Sequence, residues 1–232
     1  MCGRYRLSRR AEILAAYDAE YEGVDWDARY NIAPTQSVPV IRQDVKQPTR
    51  RASLMRWGLV PYWATDSTIG ARMINARAET AAEKPAFKES LERRRCLVPA
   101  DGFYEWAPNG KSKQPYCFEL NERQPFAFAG LWDRWRAPDG NHLETCTILT
   151  TTPNQLLADI HDRMPVILTP GDYDLWLDPG FRDVGATTEM LRPFDAMQMR
   201  RHPVSTWVNN VANDGPECSE PTELPSAQVG LF

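Results

Sequence analysis

The sequence predicts a single α+β domain with a curved, mainly antiparallel β-sheet, a barrel-like core and short flanking helices. Three observations carry this expectation. Short β-branched or aromatic runs follow one another closely in the second half of the chain: RCLVPA, PYCFEL, PFAFAGLW, TCTILTT and MPVILT. The helical stretches among them are brief, so strands dominate and helices can only flank them. There is no internal repeat and no interior linker, and 232 residues with 42% hydrophobic content suffice for one sizeable core.

Taken in order, a first helix is expected from Ser8, as N-cap, through about Ala19, with Ile13, Leu14 and Tyr17 on one face. SVPVIRQ (37–43) and SLMRWGLVP (53–61) read as strands around a polar turn. A helix opens at Pro85, where proline suits the first helical position, and runs to about Arg94. Further short helices are expected at Pro153 and Pro170, each behind a threonine cap. Residues 2–212 form the domain. From Asn213 the composition turns to Pro, Ser and Glu, which reads as a mobile tail, 213–232.

The formal net charge of −4 excludes a protein that coats duplex DNA through bulk positive charge. Any nucleic-acid contact must be a local basic cleft on an acidic body. No run is long and apolar enough to span a bilayer, and MCGRYRLSRR turns polar at once, so no membrane partner is expected and the cytosol or nucleoid is the expected location. The five cysteines are odd in number and form no CxxC pair, which argues against a disulfide framework and a zinc site. Cys96, Cys117 and Cys146 lie in apolar runs and read as inert core residues.

Cys2 differs by position. Removal of the initiator methionine would leave it as the amino terminus, with an α-amine and a thiol on adjacent carbons. An α-amine has an ordinary pKa of about 7.7–8.0 and a thiol about 8.5, so both nucleophiles are accessible near neutral pH. Two chemistries are open to the pair. An aldehyde would form a Schiff base with the amine and then close a thiazolidine with the thiol; an ester or amide would be attacked by the thiol with the amine as base.

Four other segments carry more chemistry than their length requires. In MINARAET, Asn75 and Arg77 share a face if the segment is extended. In DGFYEWAPNG, Glu105 sits between Tyr104 and Trp106; a carboxylate among aromatics has a raised pKa and holds a proton near neutrality, whereas on an exposed strand it would be ordinary. In ADIHDRMPV, His161 closes a short helix, where it either complements the helix C-terminus or serves a site with Arg163. YNIAPTQ and VPYWA place Pro34 and Trp63 in proline-marked loops, as core residues or as surfaces against a base.

Together with MCGRY, MRWGLVPYWA, RCLVPADGFYEW, KQPY, AGLWD, TILTT, IHDRMPV and HPVS…VN, these segments form an ordered pattern from Cys2 to about Pro221. The pattern resembles the SOS-response-associated peptidase family of abasic-site-processing proteins. The resemblance implies binding of single-stranded DNA and a thiazolidine crosslink between Cys2 and the ring-opened aldehyde of an abasic site. It implies a catalytic set of Cys2, Asn75, Glu105 and His161. Arg4, Arg77 and Arg163 would bind phosphates, and Pro34 and Trp63 would press on the DNA beside the lesion. No metal or organic cofactor is required, and a monomer is expected. The family's name adds peptidase action or release of the crosslink, which Glu105 and His161 could support.

Two other readings fit a Cys-Gly amino terminus or a local basic cleft. An N-terminal-nucleophile amidohydrolase would also begin with Cys-Gly, but the following Ile-x-Gly of the glutamine amidotransferases is missing. A non-covalent single-strand-binding module would leave Cys2 incidental. The chain closes on Gln228-Val229-Gly230-Leu231-Phe232, which resembles the short peptide by which bacterial repair proteins dock on the replication sliding clamp.

Overall fold

The computed structural model describes residues 2–21, 23–44, 49–110 and 112–224. In chain order the elements are β1 (Tyr5–Leu7), α1 (Arg10–Ala16), β2 (Ala19–Glu20), β3 (Arg29–Ile32), β4 (Ser37–Gln43), β5 (Arg50–Trp57), β6 (Asn75–Arg77), α2 (Ala78–Ala81) and α3 (Lys88–Arg93). Then follow β7 (Arg95–Ala100), β8 (Gly102–Asn109), β9 (Ser112–Leu120), β10 (Phe126–Arg136), β11 (His142–Thr151), β12 (Met164–Pro165), β13 (Ile167–Leu168), α4 (Tyr173–Leu177), α5 (Val184–Glu189) and β14 (Met199–Pro203). Short 3-10 turns join several of them. The α+β class, the mainly antiparallel sheets and the brief helices are as the sequence predicts.

The strands form two sheets. One runs β14-β9-β8-β1-β3. In the other, β11, β10, β7, β4 and β5 lie side by side, and β5 returns to pair β11 in parallel, Trp57 opposite Cys146, so five strands close into a barrel. Closure leaves these strands no free edge. It also forces a close approach just past β5, where Gly58 (φ +129°) and Gly70 face each other and a Cβ on Gly58 would lie 2.6 Å from the Gly70 carbonyl oxygen.

Aromatic side chains join the sheets. Tyr5 of β1 meets Trp57 of β5 at 5.4 Å and Phe128 of β10 at 5.8 Å, while Phe103 stacks on Phe118 at 5.1 Å. Each such pair contributes about 0.5–1.5 kcal/mol beyond its burial. Cys96, Cys117 and Cys146 are fully buried and free, as expected for core residues.

Several element ends differ from the sequence reading. Helix α1 starts at Arg10 and lacks a side-chain cap of its own; instead Asp101, from the β7–β8 junction, accepts from the Ser8 and Arg9 backbone N–H groups at 2.6 and 2.8 Å. The Ser8 hydroxyl turns to the same carboxylate at 3.1 Å, so a distant acid does the capping. Residues Pro85–Phe87 form a turn before α3 rather than its first turn. After Pro153 the chain makes successive turns without a regular helix, started by the Asn154 side chain accepting from Leu156 and Leu157 N–H. At Pro170 a 3-10 turn leads into α4 as expected.

The Pro-rich end remains packed beyond residue 212. Asp214 accepts from Tyr30 and Asn31 N–H and pairs with Arg29, Cys218 is fully buried, and Pro221 bridges to Val204. The expected tail from Asn213 is thus attached to the domain at least as far as Pro221. The segment Gln228–Phe232 lies outside the described residues.

Candidate functional site

One cleft of about 560 Å³ is lined by Arg4, Ile74, Glu105, Trp106, Lys113, His161 and Asn209. It lies where the β1–β8–β9 side of the molecule meets the turn carrying His161 and the start of β6. Pairing of β1 with β8 puts Tyr5 opposite Phe103, and the Tyr104 N–H continues the ladder by donating to Arg4 O at 3.1 Å. The residues just before β1 are therefore carried alongside Glu105. Cys2 is fully buried there, and its thiol is pushed well above the ordinary range by burial first and by the Glu105 charge second. A thiol so placed stays protonated until a base takes its proton.

Glu105 is 3% exposed and burial pushes its pKa up to about 7, against the pull of the positive charges at the amino terminus and on Lys113. Near neutral pH it is a mixture of acid and carboxylate, able to give or take a proton. The aromatic flanks that the sequence analysis singled out lie on a buried strand.

His161 is half-buried. Its Nδ1 accepts from the Arg163 N–H at 3.0 Å, which leaves the proton of the neutral ring on Nε2. Burial and the nearby positive charges lower its pKa, although the Asp162 carboxylate 3.0 Å from Nδ1 favours the charged form. Burial prevails, and the ring is neutral at pH 7. It stands at the end of a turn whose last backbone bond runs from His161 N to Leu157 O.

Asn75 and Arg77 begin and end β6, which pairs in parallel with β11. Alternation holds: Ala76 between them is buried, and Arg77 is exposed. Asn75 Nδ2 donates to Ile148 O at a long 3.4 Å, and its Oδ1 is buried with no hydrogen-bond partner among the described residues. A buried amide oxygen left in this state is prepared for a donor. Arg163 forks onto the Glu79 carboxylate at 2.7 and 2.8 Å and also donates to Thr150 O at 2.5 Å. The carboxyl of Glu79 is held below its usual range by that hydrogen bond from Arg163.

Arg4 donates to Asn31 Oδ1 and Val208 O, both at 2.8 Å, and to Asn209 O at 3.3 Å. It thereby ties the 206–209 turn against β3 and sets Asn209 in the cleft wall, where Asn209 Oδ1 accepts from Trp106 Nε1 at 2.7 Å. Pro34 and Trp63 are outside the lining of this cleft. Pro34 begins the β3–β4 turn, which Thr35 N–H anchors to Trp57 O at 2.8 Å. Trp63 is 47% exposed on the loop after β5, beside the exposed Tyr62.

The cleft thus brings together Arg4, Glu105 and His161 of the expected set, with the buried Cys2 within electrostatic reach of Glu105 and Asn75 adjoining Ile74 of the wall. Trp106, Lys113 and Asn209 are lining residues to which the sequence analysis assigned no role. A neighbouring cleft of about 610 Å³, on the Trp207 and Asp214 side, is lined by three carboxylates, Asp214, Glu217 and Glu220. Negative charge of that density disfavours a phosphodiester, whereas the Glu105 cleft carries Arg4 and Lys113 against one carboxylate. Among the described residues no group of three or more His, Cys, Asp or Glu is placed to hold a metal ion, and no helix is long and apolar enough to cross a membrane.

Known proteins resemble this chain in sequence and in fold. The chain is 45% identical over 225 residues to the abasic site processing protein YoqW of Bacillus subtilis, covering 95% of this chain and 99% of that one. It is 36% identical over 266 residues to the abasic site processing protein HMCES of Gallus gallus, covering 97% and 79%. A crystal structure of a Bacteroides thetaiotaomicron protein superposes with a TM-score of 0.84 at 27% identity, over 96% of this chain and all of that one. Residues 1–211 match the SOS response associated peptidase (SRAP) family, and with relatives this close over almost its whole length the chain belongs to that family.

Proposed function

We propose that the protein captures abasic sites in single-stranded DNA as a covalent thiazolidine on Cys2. The observation that carries this reading is the placement of the buried Cys2 beside Glu105, a carboxyl that burial pushes up to about 7 and that lines one cleft with His161. The names of the relatives support the lesion. Arg77, Arg163 and Arg4 hold the strand, and Pro34 and Trp63 press on it beside the abasic deoxyribose. Holding the sugar against the amino terminus turns a slow bimolecular condensation into an intramolecular one.

The steps follow from the groups present. His161 moves the proton that opens the furanose to the aldehyde. The free α-amine, once Met1 has been removed, adds to the carbonyl carbon. Protonated Glu105 gives its proton to the carbinolamine oxygen, which leaves as water, and the imine forms. The Glu105 carboxylate then takes the thiol proton. Sulfur bonds to the imine carbon, the imine nitrogen takes up a proton, and one water has been released overall. Asn75 Oδ1 accepts a hydrogen bond from the amine or from a sugar hydroxyl and fixes its orientation. The same proton transfers in reverse release the crosslink, and they are the chemistry available to any peptidase action. At the other end of the chain, Gln228–Phe232 docks the protein on the sliding clamp and concentrates it where abasic single strands arise.

Intact-mass analysis with an abasic single-stranded oligonucleotide tests the reaction. The expected product is protein without Met1 plus DNA, less one water. Cys2→Ala is expected to give no stable adduct, and Cys2→Ser only an imine that borohydride traps. A variant with one residue inserted between Met1 and Cys2 that crosslinks as stably as wild type sinks the thiazolidine.

A further inference from the structure

Most cations around the Glu105 cleft are already engaged. Arg4 donates to Asn31 Oδ1, Val208 O and Asn209 O, and Arg163 donates to both Glu79 oxygens and to Thr150 O. Their forks would have to exchange partners before receiving a phosphate. Lys113 is different. It lies at the start of β9, opposite Pro108 in the β8–β9 hairpin, and its exposed side chain lines the cleft with Glu105 and His161. Among the described residues its side chain has no hydrogen bond and no ion pair.

We propose that Lys113 is a further substrate-contacting residue, whose ammonium receives a phosphate of the bound single strand at the rim of the Glu105–His161 cleft. The inference rests on the single-strand reading given above and adds a contact to it. An ammonium on a flexible four-carbon stem can follow a mobile phosphodiester without giving up an existing bond. On the apo protein its charge has a second effect, since it lowers the pKa of both Glu105 and His161. A phosphate bound to Lys113 partly neutralises that charge, so DNA binding itself raises the proton occupancy of Glu105 just as the carbinolamine needs an acid. The other charges that act on these two groups are the amino terminus on both, and Asp162 on His161; Glu105 in turn acts on the Cys2 thiol.

The test compares wild type, Lys113→Met and Lys113→Arg in two measurements. The first is affinity for an intact single-stranded oligonucleotide, without a lesion, across salt concentration. Loss of one phosphate contact is expected to make the slope of log K against log salt shallower by about 0.7 for Lys113→Met, with Lys113→Arg restoring it. The second is the pH profile of crosslinking to an abasic strand, whose limbs are expected to move to higher pH in Lys113→Met and to return in Lys113→Arg. An unchanged salt slope overturns the contact, and unchanged pH limbs overturn its effect on Glu105 and His161. Should wild type bind intact strands yet form no adduct, the covalent reading fails while the salt slope still decides the role of Lys113.

Discussion

Glu105 shows how one residue's surroundings set its chemistry. Burial lifts it to about 7 from the 4.5 of an exposed glutamate, and the aromatic neighbours that announced this are visible in the sequence. The same lift has a cost in stability. The folded chain holds a proton that the unfolded chain has released, so stability falls as pH rises from about 4.5 through about 7. Glu105→Gln removes the titration. Relative to wild type it is expected to gain about 3 kcal/mol between pH 5 and pH 8, read from urea unfolding at both pH values, while crosslinking slows. A wild type whose stability relative to Glu105→Gln does not change with pH would mean that Glu105 titrates normally. The Cys2 thiol, pushed up by burial, argues in the same direction: its deprotonation has to be coupled to a base, and Glu105 is within electrostatic reach.

The elements decide what each arginine is for. Strand β6 presents Arg77 to solvent with no hydrogen-bond or ion-pair partner among the described residues, whereas the turn into β12 buries Arg163 against Glu79 and Thr150. These two arginines, equal as expectations from sequence, are expected to separate in experiment. Arg77→Gln should make the salt dependence of single-strand binding shallower by about 0.7 in slope and leave thermal stability unchanged. Arg163→Gln should in addition lose about 2–3 kcal/mol, because a charged hydrogen-bond network is broken and Thr150 O is left without its donor. An Arg163 variant as stable as wild type in urea would remove the structural part of that role. Nothing within IHDRMPV tells that Arg163 is engaged, since the Glu79 carboxylate lies 84 positions away. The brief helices tell a similar story. Ser8 reads as the cap of α1, yet Asp101 takes that role 93 positions away, because the Ser8 hydroxyl and two N–H groups converge on a carboxylate that Arg6 already holds at 2.5 Å.

At the scale of the whole molecule, the chain's last third returns to build the site. Asn213 O, Val208 O and Asn210 O all accept from the Asn31 side chain, and Asp214 accepts from the β3 backbone. This fixes the 206–209 turn in the cleft wall. Two truncations follow from it. A chain ending at Leu224 is expected to crosslink like full length and to lose binding to purified sliding clamp. A chain ending at Ala212 is expected to lose stability as well, with a lower thermal midpoint and slower crosslinking, because Arg29 loses its Asp214 ion pair, Asn31 loses the Asn213 carbonyl and the space filled by Cys218 is emptied. Undiminished clamp binding by the first chain removes the docking proposal, and an unchanged melting midpoint for the second restores the tail boundary at Asn213.

The local signals in the sequence determined the α+β class, the positions of β4, β7, β9, β10 and β11, and the inventory of reactive groups, because a strand's residue pattern and a raised carboxylate both depend on near neighbours. The ordered pattern from MCGRY to HPVS…VN also determined the family. Only the tertiary structure decided the parallel closure of β5 on β11, the cap on α1, the packing of residues 213–221, and which cations around Glu105 are engaged and which are open. These are pairings between groups tens to about two hundred positions apart, such as Arg4 with Val208 O. An arginine's chemistry is the same in every sequence, and its function depends on whether folding has already given it a partner.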